Sequence, residues 1–237
     1  MKWAQITDKG LTREVNEDNM LIAPELGLLA VADGMGGHQG GRTASRLALC
    51  TVEQELTRML RQPGDPAKTL QDAVNLANST VYSRSNENPE LKGMGTTVTA
   101  CLNCDRLLLI AHVGDSRAYL LRQGHLRQVT RDHSLVQELM QKDVISEEQA
   151  RSHPQRHMLT RALGAEHFVE VDSYQEELLP GDQLLLCTDG LTRYLQPPDI
   201  LETLQSNMTQ ERTVQTLLSK ALQAGGADNV TIILASF

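Results

Sequence analysis

Short apolar runs that end at a polar or turn-forming residue recur along the sequence. The clearest is Leu28 to Ala32, which is followed by Asp33 and then by five glycines within eight positions. A short apolar run bounded by turn residues is typical of a strand buried on both faces. Asp33 is therefore predicted at the end of a buried strand, where the glycines let the backbone approach a bound group. This pattern is compatible with holding a cation or with binding phosphate.

The same periodicities predict the other elements. Apolar residues at helical spacing indicate amphipathic helices, and short β-type runs between turn residues indicate strands. Helices are predicted at 42–60, 66–85, 198–207 and 210–223, and strands at 2–7, 28–32, 96–102, 107–113, 118–122, 126–130, 168–174, 183–187 and 230–235. The connections among the strands between 96 and 130 are too short for parallel pairing, so an antiparallel meander is expected there.

Residues 131–164 interrupt this pattern with a polar, helical segment. Ser146 followed by Gln149 resembles the capped start of a helix. The segment is predicted to form a flap beside the sheet, and flaps often border active sites. An ordinary surface excursion is the alternative. Because no linker or long repeat divides the sequence, residues 1–237 are predicted to form a single domain that carries this flap.

Composition narrows the classes of function. The chain has 237 residues, 40% of them hydrophobic, which is enough for a sizeable core. Its net charge of −8 and pI near 5.4 argue against a nucleic-acid or anionic-membrane partner. The N-terminus lacks the apolar region of a signal peptide, and no apolar run approaches the length of a membrane span. The sequence therefore predicts a cytoplasmic protein.

Four cysteines form no dense disulfide framework. Cys101 and Cys104 make a C-x-x-C motif, but no second such pair accompanies it, and residues 103–105 are predicted to form a hairpin turn. A reduced structural pair is favoured over a redox or zinc role.

Acidic residues mark the ends of several predicted strands. Asp33, Asp115 and Asp189 each follow an apolar strand, and Asp228 precedes one. If the strand of Asp228 runs antiparallel to that of Asp189, both acids lie at the same edge of the sheet. Carboxylates gathered beside a dry core repel one another and have raised pKa values unless a cation neutralises them. Oxygen-only ligands match Mg²⁺ or Mn²⁺ better than zinc.

The loop at 8–19 adds a cation and two more acids. Arg13 offers a planar guanidinium that would clamp phosphate oxygens, and Glu17 and Asp18 lie just before the next apolar stretch. A solvated turn with weak ion pairs is the alternative for this loop taken alone. Two metal ions that share a carboxylate activate water for attack on phosphorus. The combined pattern predicts metal-assisted phosphoester hydrolysis.

Dinucleotide binding is the main rival. Gly34 and Gly36 follow a strand and precede a helix, as that fingerprint requires, but Gln39 occupies the place of the third glycine. Asp33 would also direct a negative charge at the pyrophosphate. Two successive helices and a meander then replace the next β-α-β unit, so this rival is set aside.

Taken together, the motifs support a family resemblance. The chain resembles the type-2C, metal-dependent protein serine/threonine phosphatases in their compact bacterial form. The matching segments occur in family order across nearly the whole chain, at 13–18, 31–38, 95–97, 113–117, 187–191 and 228–231. The resemblance implies an α+β fold, a four-layer α-β-β-α sandwich of two antiparallel sheets flanked by helices.

The resemblance also implies a binuclear Mn²⁺ or Mg²⁺ centre. Asp33 would bridge two tightly bound ions and the Gly34 carbonyl would bind one of them. Asp189 and Asp228 would bind the other. Asp115, together with Asp189, resembles the weaker third metal position of bacterial members.

Other matching residues would contact water or substrate. By resemblance, Asp18 and Glu17 would hold water ligands of the metals, and Arg13 would bind the substrate phosphate. Asn229, in the last motif, is a candidate for a supporting or substrate contact. Asp18 is included with Arg13 and Asp33 in the predicted catalytic set.

One position departs from the animal and plant members of the family. Met35 occupies the place of their histidine, the proposed general acid, and a thioether cannot donate a proton. Leaving-group protonation then falls to a metal-bound water or to another group. His38, by its motif, and His157, by its place in the flap, are candidates, with structural or substrate-contact roles as alternatives.

Together these features predict a protein phosphatase that acts on phosphoserine and phosphothreonine in proteins and opposes a bacterial Ser/Thr kinase. We expect a monomer whose partners are phosphorylated proteins, including that kinase and its substrates. The alternative is a non-catalytic, phosphoprotein-binding regulator with the same fold. A binding module would not need the full acidic set.

Overall fold

The structure is a computed structural model that describes residues 1–37, 40–59 and 64–237. The strands in these residues are β1 (Lys2–Asp8), β2 (Asn19–Ala23), β3 (Leu28–Ala32), β4 (Gly34–Met35), β5 (Gly95–Thr96), β6 (Val98–Cys104), β7 (Leu107–Val113), β8 (Arg117–Arg122), β9 (His125–Gln128), β10 (Asp172–Glu177), β11 (Gln183–Cys187) and β12 (Val230–Ser236). The helices are α1 (Gly40–Met59), α2 (Pro66–Glu87), α3 (Leu135–Gln141), α4 (Glu147–Ser152), α5 (Asp189–Thr192), α6 (Pro197–Gln205) and α7 (Gln210–Gln223).

Two five-stranded antiparallel sheets form the centre of the molecule. Their strand orders are β1-β12-β11-β8-β9 and β10-β7-β6-β3-β2, and β4 pairs with β5 in a separate two-stranded ribbon. One apolar cluster joins α1 and α2 to the second sheet, and another joins α6 and α7 to the first. A third cluster lies between the sheets. The predicted four-layer α-β-β-α sandwich is confirmed.

Strand β3 shows how the sequence produces these layers. All five of its residues are buried. Because successive side chains of a strand point to opposite faces, Leu29 and Val31 pack between the sheets. Leu28, Ala30 and Ala32 pack against the helical layer instead. A strand covered on both faces has no polar positions, which explains the uninterrupted apolar run.

The predicted meander is wrong at one connection. β6 pairs with β7 and β8 pairs with β9, but β7 and β8 belong to different sheets. The chain crosses between the sheets at Gly114, whose φ of 111° is readily adopted by glycine and whose missing side chain makes room for Thr97. Asp115 therefore lies on the crossover between the two sheets.

The predicted strand at 168–174 is shifted. β10 begins at Asp172 and pairs with β7, whereas Phe168 is 81% exposed. The Asn78 amide donates hydrogen bonds to the carbonyls of Glu166 and His167, which holds the preceding segment as a loop. Val171 still packs in the apolar cluster beneath the helices. The alternation of apolar and polar residues at 168–171 therefore reflects which side chains are buried, although the backbone there is not paired with another strand.

The segment at 131–164 contains the predicted helical structure only in part, as the two short helices α3 and α4, and the rest of it is turn and loop. Ser146 and Gln149 form the expected capping box at the start of α4. Residues near the two ends of the segment at 131–164 are close together, because the Leu135 amide donates a hydrogen bond to the Met158 carbonyl. No helix in the described ranges is long and apolar enough to cross a lipid bilayer.

Cys101 and Cys104 both lie on β6 and both are free thiols. Cys101 is fully buried between the sheets, and residues 103–105 lead into β7 with Asp105 at a positive φ of 56°. The predicted reduced pair and hairpin turn are confirmed.

Candidate active site

Acidic residues from both sheets meet at one end of the sandwich. Asp33 follows β3 and Asp18 precedes β2 on one sheet, while Asp189 follows β11 and Asp228 precedes β12 on the other. β11 and β12 are antiparallel, the condition under which the sequence placed their two acids at the same edge. Asp33 lies within the electrostatic field of these acids and of Asp115.

Asp18 is fixed by two threonines of the opposite sheet. Its Oδ2 accepts hydrogen bonds of 2.8 Å from the hydroxyls of Thr188 and Thr231. Its other oxygen, Oδ1, is buried without a hydrogen-bond partner. Hydrogen bonding thus holds one oxygen of this carboxylate and leaves the other available as a ligand.

The backbone around Asp33 is held by the strand that leads into β6. Its amide donates to the Thr97 hydroxyl, and its carbonyl accepts from the Thr97 amide and the Thr96 hydroxyl, each at 2.9 Å. At Gly34, a Cβ would lie 2.2 Å from the Gly41 carbonyl oxygen. Only glycine allows this approach, so the start of α1 can pack directly behind Asp33.

Asn229 organises the loop that carries Arg13. Its amide nitrogen donates to the carbonyls of Lys9 and Val15, and its Oδ1 accepts from the Glu17 amide at 2.8 Å. Asn229 is buried. The Asn229 side chain thus supplies the hydrogen bonds that hold the backbone of this loop. Of the roles predicted for Asn229, this contact is a supporting one.

Two arginines contact the acids. The Arg13 guanidinium lies 3.0 Å from Asp228, with its side chain 48% exposed. Arg193 lies 2.5 Å from both Asp189 and Asp228. Arg193 was not among the residues predicted from the sequence. The signal that could have found it is its position four residues after Asp189, because residues at this spacing face each other on a helix.

Mutual repulsion and burial disturb the ionisation of these acids. Burial, only partly offset by the two threonine hydrogen bonds, raises the pKa of Asp18 to about 7. Burial and the neighbouring carboxylates also raise the pKa of Asp33 and of Asp115. The pKa of Asp189 is raised by burial and by Asp228, although Arg193 opposes the shift.

This charge distribution predicts how the stability of the metal-free protein depends on pH. A carboxyl with a raised pKa stays protonated in the folded protein above about pH 4, where the same carboxyl in the unfolded chain has lost its proton. The free energy of unfolding therefore falls as pH rises from about 4 through the pKa of the folded state. For Asp18 that folded pKa is about 7. The lowered pKa values of the buried His112 and His133 oppose this trend below about pH 6.5.

Between pH 6.5 and 8 we therefore expect the free energy of unfolding in EDTA to fall, by about 1–2 kcal/mol. Urea denaturation at a series of pH values measures this slope. An Asp18→Asn variant should show a flatter slope, because it lacks one of the responsible carboxyls. A free energy that rises over this interval in wild-type protein would contradict the expectation.

The donor set fits a hard divalent cation. Every predicted ligand is an oxygen, and Asp18 Oδ1 and Asp189 Oδ1 are buried without hydrogen-bond partners. Such orphaned carboxylate oxygens are costly unless a cation or water satisfies them. In the described part of the chain, however, no three Asp, Glu, His or Cys side chains are gathered closely enough to hold one ion. The Arg193 guanidinium instead lies between two of the acids.

Of the two histidine candidates, His38 lies outside the described residues. His157, in the segment at 131–164, is exposed overall, and partial burial together with the charges of Arg193 and Arg156 lowers its pKa. The thioether of Met35 lies beside Gly95, where a Cβ would come within 2.7 Å of its terminal methyl. Met35 thus packs within the β4–β5 ribbon.

The chain is similar to known proteins in both sequence and fold. The sequence profile of the protein phosphatase 2C family matches residues 12–224. The serine/threonine protein phosphatase PstP of Mycobacterium tuberculosis is 41% identical over 238 residues, which cover 99% of this chain and 45% of PstP. The serine/threonine phosphatase stp of Listeria monocytogenes is 40% identical over 96% of this chain and 92% of its own length. The chain thus spans less than half the length of PstP.

Solved structures give the same result. The crystal structure of the M. tuberculosis phosphatase PstP/Ppp has a TM-score of 0.92 and 40% identity, covering 100% of this chain and 98% of that one. The catalytic domain of PstP in complex with two manganese ions has a TM-score of 0.88 and 38% identity, covering 99% and 97%. Both likenesses extend over essentially the whole chain.

Proposed function

We propose, from the premise that this chain belongs to the protein phosphatase 2C family, that it hydrolyses phosphoserine and phosphothreonine esters in proteins with a binuclear Mn²⁺ or Mg²⁺ centre. The observation that carries the proposal is the meeting of acids from both sheets at one end of the sandwich, with raised pKa values and orphaned oxygens. The manganese-bound PstP structure supports the choice of metal. The protein would act as a monomer on phosphoproteins and oppose a bacterial Ser/Thr kinase.

The metal ligands are assigned by position. Asp33 and the Gly34 carbonyl would hold one ion, with Asp33 shared, and Asp189 and Asp228 would hold the other. Asp115 would join Asp189 at a weaker third position, because the charge of Asp189 is the largest electrostatic influence on Asp115. When bound, the two ions supply Lewis acidity that activates water for attack on phosphorus.

The surrounding side chains would orient water and substrate. Asp18, which Thr188 and Thr231 fix, would accept a hydrogen bond from water through its free Oδ1. Glu17, next to Asp18 in the sequence, would be a further contact for a metal-bound water. Arg13 would bind the substrate phosphate, because its half-exposed guanidinium lies at the edge of the acidic cluster. Arg13 would thus bind the phosphoryl oxygens, while the carboxylates would hold the ions and water.

Protonation of the leaving serine or threonine oxygen needs a donor other than Met35. Water in the site or a histidine would supply the proton. His157 feels the charges of Asp189 and Asp228 and stays a candidate on the flap. His38 stays a candidate by its place in the glycine loop.

A non-catalytic phosphoprotein-binding module is the second candidate. The Arg13–Asp228 pair would allow such a role, because it presents a guanidinium at the surface. Four buried or half-buried acids would then only destabilise the fold. Hydrolysis explains why the chain keeps all of them.

The direct test is hydrolysis of p-nitrophenyl phosphate and of a phosphothreonine peptide by EDTA-treated and Mn²⁺-reloaded protein. We expect turnover of both substrates with Mn²⁺ and none in EDTA. Metal-independent turnover would exclude the proposed chemistry. Binding of the phosphopeptide without turnover, by protein shown to contain Mn²⁺, would favour the binding module. Phosphoproteomics of a deletion strain would then identify the substrates and the opposing kinase.

A further inference from the structure

Arg193 forms the closest charge contacts in the acidic cluster. Its Nη2 lies 2.5 Å from Asp189 Oδ2 and its Nη1 lies 2.5 Å from Asp228 Oδ2. The side chain is 28% exposed and each carboxylate is 11% exposed. One guanidinium therefore bridges two carboxylates that follow β11 and precede β12.

The charge of Arg193 also reaches the other acids. It opposes the rise in the pKa of Asp115, and it interacts with the charge of Asp33. An isolated group of buried carboxylates would repel one another strongly. The Arg193 guanidinium thus acts as a counter-charge for the acids of both sheets.

The contacts of Arg193 with Asp189 and Asp228 differ from an ordinary surface ion pair elsewhere in the chain. Arg151 and Glu147, on the flap helix α4, have the same spacing of four residues and the same 2.5 Å separation. Their side chains are 57% and 75% exposed. Exposed pairs of this kind contribute little because water and salt screen them. The Arg193 contacts are far less accessible to water, so they are screened less.

The contacts of Arg193 overlap with the proposed metal ligands. A divalent cation held by Asp189 and Asp228 would lie beside the guanidinium, because Arg193 contacts Oδ2 of each carboxylate and only Oδ1 of Asp189 has no hydrogen-bond partner. Two positive groups on the same two carboxylates repel each other. Binding of the ion would therefore weaken the Arg193 contacts.

We propose that Arg193 is a built-in competitor of the divalent cation at Asp189 and Asp228. It holds the two carboxylates together when metal is scarce, and it turns aside when the ion binds. The arrangement stabilises the metal-free fold and weakens metal binding at this pair. The inference rests on the proposed metal site and adds to it a residue that sets its affinity.

The test compares Arg193→Met with wild-type protein. Methionine keeps an unbranched side chain but removes the charge and both hydrogen bonds. Isothermal titration of Mn²⁺ into the full EDTA-treated chain should show about tenfold tighter binding at one site, which corresponds to about 1.4 kcal/mol. In EDTA, the melting temperature should fall by about 5 °C. Saturating Mn²⁺ should then stabilise the variant by more than it stabilises wild type.

Two further variants sharpen the comparison. Arg193→Lys keeps the charge but loses the forked geometry, so its Mn²⁺ affinity should lie between those of wild type and the methionine variant. This variant also provides the answer if Arg193→Met does not fold. Arg151→Met removes an exposed pair of the same spacing and should change neither the Mn²⁺ affinity nor the melting temperature in EDTA appreciably.

The possible outcomes separate the inference from the proposed function. If wild-type protein binds Mn²⁺ and the Arg193 variants bind it equally or more weakly, the competitor role is wrong. Weaker binding together with a raised KM would mean that Arg193 supports the loaded site instead. If wild-type protein binds no Mn²⁺ at all, the proposed function fails and the inference fails with it.

Discussion

Asp33→Asn is expected to lower kcat/KM by at least about a thousandfold while leaving the fold intact. Asparagine has the same shape as aspartate, but its amide is neutral and a poor bridging ligand. Asp33 lies at the end of β3 within the field of four other carboxylates, as a ligand shared by two ions would. Removal of its charge therefore deprives the proposed centre of its shared ligand.

The same substitution should make the metal-free protein more stable. The raised pKa of Asp33 shows that burial and the neighbouring acids disfavour its charge. An amide at this position carries no such penalty, so the melting temperature in EDTA should rise. Stability gained where activity is lost is the usual trade-off at an active site.

Thermal melts with and without Mn²⁺, together with p-nitrophenyl phosphate kinetics, measure both effects. The matched control is Asp105→Asn, the same change in the β6–β7 turn, where asparagine accepts the positive φ. The control should retain wild-type kinetics. Near-normal kcat/KM in the Asp33 variant would show that this carboxylate is not a shared ligand.

Gly190→Ala should destabilise the fold by about 3 kcal/mol or more and also disrupt the site. A Cβ at Gly190 would lie 1.9 Å from the Asn229 carbonyl oxygen, which is a backbone atom and cannot rotate away. Gly190 and Asn229 directly follow Asp189 and Asp228. The alanine methyl group would force the two acid-bearing segments apart.

Urea denaturation in EDTA and Mn²⁺ titration together measure the two consequences. Gly64→Ala is the matched control, because among the described residues the nearest atom to a Cβ there is the Thr69 hydroxyl oxygen at 4.0 Å. That control should have wild-type Mn²⁺ affinity and almost unchanged stability. If Gly190→Ala behaves like the control, close backbone contact is not what brings the two acids together.

Much of the site could be predicted because strand ends are visible in the sequence. The apolar runs before Asp33 and Asp189 correspond to β3 and β11, and both strands are found as predicted. The position of Asp228 followed from one further assumption, that β11 and β12 are antiparallel, and their register confirms it. Local pattern and one pairing rule were sufficient for these residues.

The features that could not be predicted depend on contacts between distant segments. The short turn after β7 suggested a hairpin, but the packing of Thr97 against Gly114 carries the chain to the other sheet. In the sequence, Arg193 cannot be told from an ordinary exposed arginine of a helix. Only the fold brings Asp228, which precedes β12, into contact with it. Neither effect leaves a periodic signal in the sequence.

The position of the acids across two sheets has a mechanical consequence. Asp33 follows a strand of one layer, whereas Asp189 and Asp228 adjoin strands of the other, and the hydrogen bonds of Asp18 to Thr188 and Thr231 join the two layers. The separation of Asp33 from Asp189 and Asp228 is therefore set by the apolar layer between the sheets, where Val31 packs in the same cluster as Leu186 and Ile233. Any sliding of one layer over the other would change the size of the proposed coordination site. The thickness of the apolar layer thus helps to fix the spacing of the acids at the edge of the sandwich.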